Sequence, residues 1–130
     1  MTPLEILKTY RTFALVGLSD KPDRPSHSVG AFLLSRGYQV VPVNPALTEV
    51  LDQECYPDLK SIPFPIDVVD IFRRSELVGP IVDDAILIGA KVVWMQLGVI
   101  DEKAAARGRA AGLEVVMDRC PAIELRRAGL

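Results

Sequence analysis

Phe13-Ala14-Leu15-Val16-Gly17-Leu18-Ser19-Asp20-Lys21-Pro22-Asp23-Arg24-Pro25-Ser26-His27-Ser28 is the stretch on which the reading of the chain turns. An uncharged apolar run stops at a glycine. A polar turn containing prolines follows, and then a helical pattern begins. Strand, turn and helix in this order form the place where α/β proteins hold a phosphate. Glycine lets the backbone approach the anion, and the first N–H groups of the helix point at it with the positive end of the helix dipole. Gly17 alone is a weak sign, because many strand-to-helix turns carry a glycine.

Outward from this stretch the chain alternates regularly. Upstream, Thr2-Pro3-Leu4-Glu5 has the marks of a helix start: a capping hydroxyl, a proline at the first helical position and a glutamate placed for a capping box. A short helix should run to about residue 10. Residues 13–16 form the first strand, apolar enough to be buried on both faces as central parallel strands are. Downstream, a helix over 26–35 should bury Val29, Phe32 and Leu33 and end at Gly37, a left-handed cap position. Residues 39–43 form the second strand. Pro42 inside it cannot donate to a ladder, which puts this strand at a sheet edge. Residues 49–57 read as a small hairpin, and 59–62 as a segment packed over the edge.

The third strand spans 66–72. After Arg73-Arg74 and Ser75-Glu76, the pairs Leu77/Val78, Ile81/Val82 and Ala85/Ile86 recur every four residues, an amphipathic helical stripe closed by Gly89. The fourth strand spans 91–97. A helix capped by Asp101 and ended by Gly112 leads to the fifth strand, 113–117. Residues 122–130 make a short basic tail with helical character. Repeated strand–helix–strand units imply an α/β fold with a parallel sheet. Right-handed crossovers then favour a three-layer, doubly wound sheet of five strands. Pro42 helps select the order 2-1-3-4-5. Winding reverses between strands one and three, and ligands bind at such a switch point beyond the C-terminal strand ends. Gly17–Lys21 and residues 72–74 fall there, flanked by Asn44-Pro45 and Gln96-Leu97-Gly98.

Bulk composition sets outer limits. The chain has 130 residues, enough for one domain with an ordinary core, and is 49% hydrophobic and 25% charged. Its net charge of −2 argues against non-specific nucleic-acid binding, which needs a basic face. Its apolar runs are too short to span a bilayer. The start lacks the basic residues and long apolar run of a signal peptide. Cys55 and Cys120 form no CxxC pair, so a cytoplasmic protein with free thiols is expected. One histidine and two scattered cysteines leave little material for a structural zinc site.

The candidate functional residues point to binding rather than catalysis. Lys21, Arg24, Arg73 and Arg74 converge on one crevice in the inferred topology. Two arginines directly after a buried strand suit phosphate oxygens, because guanidinium forks match them. Solvated surface charge is the plainer explanation for each residue taken singly. His27, at a helix start, reads as a cap or a contact at the edge of a phosphate site rather than a general base. The cysteines have no second histidine to activate them and read as small packing residues. Asp67 and Asp70 lie in the third strand, and Asp70 is placed to meet a helix N-terminus or backbone donors. Asp83-Asp84 reads as solvated, and Trp94 as core. No triad or carboxylate pair emerges. The turn does not spell GxGxxG, and strand two ends in Asn44-Pro45 where an NAD site would place an acid.

Six segments, in order, resemble the small single-domain CoA-binding proteins. They are Val16-Gly17-Leu18-Ser19; Arg24-Pro25-Ser26; residues 37–45 with Pro42-Val43-Asn44-Pro45; Asp67 to Arg73 with Asp70-Ile71-Phe72-Arg73; residues 89–98 with Trp94-Met95-Gln96-Leu97-Gly98; and residues 111–120 ending in Asp118-Arg119-Cys120. The fold of that family is similar to the CoA-binding domain of the succinyl-CoA synthetase alpha subunit, and the resemblance covers about residues 10–125. It implies a single Rossmann-like domain over 1–130 that binds coenzyme A or an acyl-CoA at the switch point. By position, Gly17, Leu18, Ser19, Lys21, Arg24 and Ser28 would meet the phosphates. Asn44 and Pro45 would border the nucleotide, and Phe72, Arg73, Arg74, Gln96, Leu97 and Gly98 would line the rest. The family often carries a basic residue soon after Asn-Pro. Here Ala46-Leu47 follows, so Lys21 or Arg24 is left to meet that phosphate.

The resulting expectation is non-catalytic binding of CoA, with no nucleic-acid or membrane partner. The alternatives are an NAD(P)-dependent reductase and a nucleotide-sensing regulatory domain. Either cysteine is a candidate for a mixed disulfide with the CoA thiol.

Overall fold

Alternating apolar side chains along the strands divide the interior into two halves. The computed structural model describes residues 1–130. In chain order the elements are α1 (Pro3–Thr9), β1 (Thr12–Val16), α2 (Pro25–Ser35), β2 (Gln39–Val43), β3 (Glu49–Val50), β4 (Gln53–Glu54), β5 (Val68–Ile71), α3 (Val78–Leu87), β6 (Val92–Met95), α4 (Glu102–Ala110), β7 (Glu114–Val116) and α5 (Pro121–Arg127). Short 3-10 turns cover Leu59–Ser61 and Ser75–Leu77. No helix is long and apolar enough to cross a membrane.

Five strands form one sheet in the order β2-β1-β5-β6-β7, all parallel, and β3 with β4 make a separate antiparallel hairpin. With the hairpin set aside, this is the expected order 2-1-3-4-5. Residues Phe13, Leu15, Val40, Val68, Trp94 and Val116 face one side and pack against Ile6 and Leu7 of α1, Val29 and Leu33 of α2, and Leu125 of α5. Their neighbours Ala14, Val16, Val41, Val69, Ile71, Val93 and Met95 face the other side. There they meet Val78, Val82 and Ala85 of α3 and Ala104 and Ala105 of α4. This two-residue alternation is what a sheet covered on both faces requires.

Local rules explain the boundaries. Thr2 and Glu5 complete a capping box on α1. Asp101 caps α4 by accepting from the Ala104 N–H at 3.0 Å. The tail is a true helix, α5, whose Ala122 and Leu125 are buried. Phe32 is half-buried rather than buried, its ring covered by the Arg36 and Arg126 guanidiniums at 4.3 and 4.4 Å. β5 and β6 are shorter than the apolar runs suggested. The Asp67 carbonyl accepts from both Lys91 and Val92, so the ladder begins only beyond Asp67.

β2 lies at the sheet edge, as Pro42 demanded. Its outer side is nevertheless engaged. Tyr56 donates its N–H to the Pro42 carbonyl at 3.0 Å, and its own carbonyl accepts from the Asn44 N–H at 2.9 Å. Leu59 is buried against the α3 side of the core, which anchors this strap at its far end.

A three-lobed cleft at the carboxyl ends of the strands

Gly17 fixes the geometry of the cleft. Its φ is +91°, and a Cβ there would lie 2.7 Å from the Phe72 carbonyl oxygen and 2.9 Å from the Arg73 Cδ. Only glycine fits this conformation and this approach. The Gly17 N–H donates to the Val43 carbonyl at 2.8 Å, and the Phe72 N–H donates to the Val16 carbonyl at 2.9 Å. The turn after β1 is thereby wedged between the ends of β2 and β5, which is the switch point of the sheet.

The rest of the turn is tied down by side chains. The Ser19 N–H donates to the Ser26 Oγ at 3.0 Å, and the Lys21 N–H donates to the Ser19 Oγ at 3.1 Å. Asn44 Nδ2 donates to the Leu18 carbonyl at 3.1 Å, while its Oδ1 accepts from the Ala46 N–H at 2.9 Å. His27 Nδ1 donates to the Ser19 carbonyl at 3.0 Å. His27 thus braces the turn and does not cap the helix, which excludes the first of the two roles read from the sequence. α2 has no side-chain cap and no acidic residue in its first turn. Its positive dipole end is left without a protein partner.

Three cavities meet at this point. The central lobe, about 350 Å³, is lined by Gly17, Ser19, Arg24, Pro25, Ser26, Phe72, Arg73, Arg74, Gln96, Leu97 and Val99. A second lobe of about 330 Å³ lies toward β2 and α3, walled by Val16, Val43, Pro45, Pro57, Leu59, Leu77, Pro80 and Ile81, with Asp58 and Asp84. Arg73 borders both. A third lobe of about 360 Å³ lies between α2 and α5, and it shares Pro25, Gln96 and Leu97 with the central lobe.

Most of the expected site residues come together here, some in altered roles. Gly17, Ser19, Arg24, Phe72, Arg73, Arg74, Gln96 and Leu97 line the central lobe, Pro45 the second and Ser28 the third. Leu18 does not reach the cleft: its side chain is fully buried in the core, and only its carbonyl serves the turn. Asn44 likewise spends both side-chain groups on the turn. Lys21 and Gly98 are exposed but wall none of the lobes, and the Gly98 N–H is taken by the Asp118 carboxylate at 2.7 Å. Sequence reading missed Ser26, Val99 and the Pro57–Leu59 wall. Ser26 had a signal, a small polar residue at the start of α2. The wall had none, since long-range folding brings it in.

The charge in the central lobe is lopsided. Arg24 and Arg73 make no ion pair, and Arg74 makes only an exposed one with Glu76 at 3.3 Å, a contact of little energetic weight. Two buried polar side chains lack hydrogen-bond partners: Asp70 at both carboxylate oxygens, and Gln96 at Oε1. Asp70 is aligned between Leu15 and Trp94, fully buried. Burial pushes its carboxyl well above the usual carboxylate range. The expected contact with a helix N-terminus or backbone donors is therefore absent. Cys55 points at the Asn44 carbonyl at 3.6 Å, and burial pushes its thiol up.

The chain matches the model of the CoA binding domain over residues 11–126. It is 40% identical to YneT of Bacillus subtilis (strain 168) over 116 residues, 89% of this chain and 86% of that protein. A hypothetical protein from Pyrococcus horikoshii OT3 superposes with a TM-score of 0.93 at 42% identity, covering 98% of this chain and 92% of that one. The dinucleotide forming acetyl-coenzyme A synthetase 1 of Ca. Korarchaeum cryptofilum matches at a TM-score of 0.75 and 27% identity, over 86% of this chain and 27% of that chain. The parallel sheet with its wedged Gly17 turn and the match over residues 11–126 lead to one conclusion: the chain belongs to the CoA-binding domain family.

Proposed function

We propose that the three-lobed cleft binds coenzyme A or an acyl-CoA and holds it without chemical change. The observation that carries this reading is Arg73, an unpaired guanidinium standing between the central and second lobes. A charge there reaches an anion in either lobe, and Arg24 and the uncapped start of α2 face the same space. Phosphate groups suit all three. CoA is a long ligand with a polyphosphorylated nucleotide at one end and an uncharged arm at the other. A row of adjoining lobes, with two unpaired arginines at its centre and mixed apolar and polar walls on either side, accommodates that shape. The Korarchaeum protein, named an acetyl-coenzyme A synthetase, is consistent with the same ligand class.

Asn44 weighs against a nicotinamide dinucleotide. An acid at this position would grip ribose hydroxyls. Asn44 instead commits one amide N–H to Leu18 and one lone pair of its oxygen to Ala46, and it carries no carboxylate to accept from two ribose hydroxyls. The phosphate that a basic residue after Asn-Pro would meet falls to Arg24 or Arg74 in this reading, because Ala46-Leu47 carries no charge and Lys21 lies outside the lobes.

Calorimetric titration of CoA and NADPH side by side tests the proposal. CoA should bind and NADPH should not; tight NADPH with no CoA would overturn it. Recovery of an added acyl-CoA intact, by mass spectrometry, tests the non-catalytic part; a hydrolysed or transferred acyl group would refute that part.

A further inference from the structure

The outer lobes of the cleft differ in charge. The second lobe has Asp58 and Asp84 in its walls. The lobe between α2 and α5 has no acid, and its polar walls include Ser28 and Arg126. Arg126 differs from the other arginines around α5. Arg119 and Arg127 both pair with Glu124, at 3.4 and 3.8 Å, whereas Arg126 pairs with no carboxylate. Its guanidinium lies 4.4 Å from the centroid of the Phe32 ring, and that of Arg36 lies 4.3 Å from the same centroid. Arg36 donates to the Ser35 Oγ and to the Leu130 backbone oxygen. Two like charges on one ring, with no acidic side chain between them, repel each other. A negative charge brought to Arg126 from outside offsets that repulsion, and stacking on Phe32 holds the planar guanidinium ready for it.

Resting on the reading that CoA or an acyl-CoA occupies the central lobe, we propose that the α2/α5 lobe takes a second oxyanion of the ligand, beyond the group held at Arg73, and that Arg126 selects for it. The lobe adjoins the central one along Pro25, Gln96 and Leu97, so one ligand can occupy both. A guanidinium fork suits a phosphoryl or a carboxylate group, because either offers two oxygens to two parallel N–H donors. The Ser28 hydroxyl, in the same lobe, supplies a further donor. On CoA such a group is the phosphate monoester of the ribose. On an acyl-CoA it is a carboxylate that ends the acyl chain. The second lobe, with two acids in its walls, is the less favourable place for either. The last turn of α5 favours a cation through the helix dipole. That accounts for a positive charge there but gives it no acid, and a ligand oxyanion does.

Calorimetric titration with two pairs of ligands is the test. CoA and dephospho-CoA differ by the ribose phosphate, and malonyl-CoA and propionyl-CoA differ by a terminal carboxylate. Wild-type protein should prefer the more anionic member of at least one pair by about tenfold or more, the worth of one charged contact. Arg126→Ala should bring the two members of that pair to the same affinity, and Arg126→Lys should keep part of the difference. Arg73→Ala should weaken both members alike. A preference in the first pair that depends on Arg126 puts the ribose phosphate there rather than at Arg24 or Arg74. Such a preference in the second pair puts an acyl carboxylate there. The proposal is overturned if wild type discriminates in neither pair, or if Arg126→Ala keeps the discrimination. It is also overturned if that variant weakens all four ligands equally, as loss of a purely structural contact with Phe32 would. In each of these cases CoA binding by the wild type leaves the binding function standing. If wild type binds none of the four, both readings fall.

Discussion

Gly17 and Phe72 approach so closely that a β-carbon on Gly17 would lie 2.7 Å from the Phe72 carbonyl oxygen. Neither neighbour can move freely, because Phe72 is itself bonded to Val16 and Gly17 to Val43. Gly17→Ala should therefore combine the cost of a left-handed backbone with a clash against main chain. A loss of about 1–3 kcal/mol is expected for such a strained position. Urea unfolding would read it, and a variant as stable as wild type would show that the turn relaxes.

Arg73 separates two lobes and has no acidic partner. Its removal leaves no buried charge stranded, so the fold should survive Arg73→Ala. In the proposed role, binding of CoA should weaken by about 1.5–3 kcal/mol, the worth of a hydrogen bond to a charged group. That is roughly ten- to a hundredfold in affinity. Unchanged affinity in a folded variant, measured by calorimetry, would remove Arg73 from the site.

Asp70 should make stability fall as pH rises. Its folded carboxyl is held protonated above the unfolded value, because burial without partners penalises the charge. The folded state then keeps a proton that the unfolded chain releases from about pH 4 upward. The contribution is fully present below the unfolded value and is lost as pH rises toward the folded one, with a slope of at most about 1.4 kcal/mol per pH unit. Asp70→Asn should remove this slope. Parallel stability–pH curves for the two proteins would contradict the assignment.

Ser26 supplies the acceptor for the Ser19 amide and is almost fully buried. Ser26→Ala should cost about 1 kcal/mol, typical of one lost internal hydrogen bond. Hydrogen exchange should speed up at the Ser19 amide and leave the β1 and β5 amides largely protected. A uniform rise across the sheet would mean that Ser26 supports the whole fold rather than the turn.

Elements and their order were legible in the sequence because the signals for them are local. Pro42 marks the edge wherever the rest of the chain lies, and Gly37, Gly89 and Gly112 punctuate helix ends in the left-handed conformation. The central lobe was legible for a related reason: a doubly wound sheet brings the ends of β1, β5 and β6 together by topology alone. The partition into three lobes was not. It depends on Pro57 and Leu59 returning to β2, and on α5 settling beside α2, and neither contact has a periodicity to announce it. Leu18 was misplaced because its position in a polar turn says nothing of a side chain that turns back into the core. Asp70 was misread because one acid in an apolar strand signals burial without saying whether a donor waits for it.

The strap at Tyr56 matters beyond the cleft. By bonding to Pro42 and Asn44 it occupies the outer ladder positions at the carboxyl end of β2, next to the proline that already lacks a donor. A strand from another molecule, seeking to extend the sheet there, would find its hydrogen-bonding positions occupied. Open sheet margins are where chains join end to end and aggregate. The segment that walls the second lobe therefore also blocks strand addition at the carboxyl end of β2.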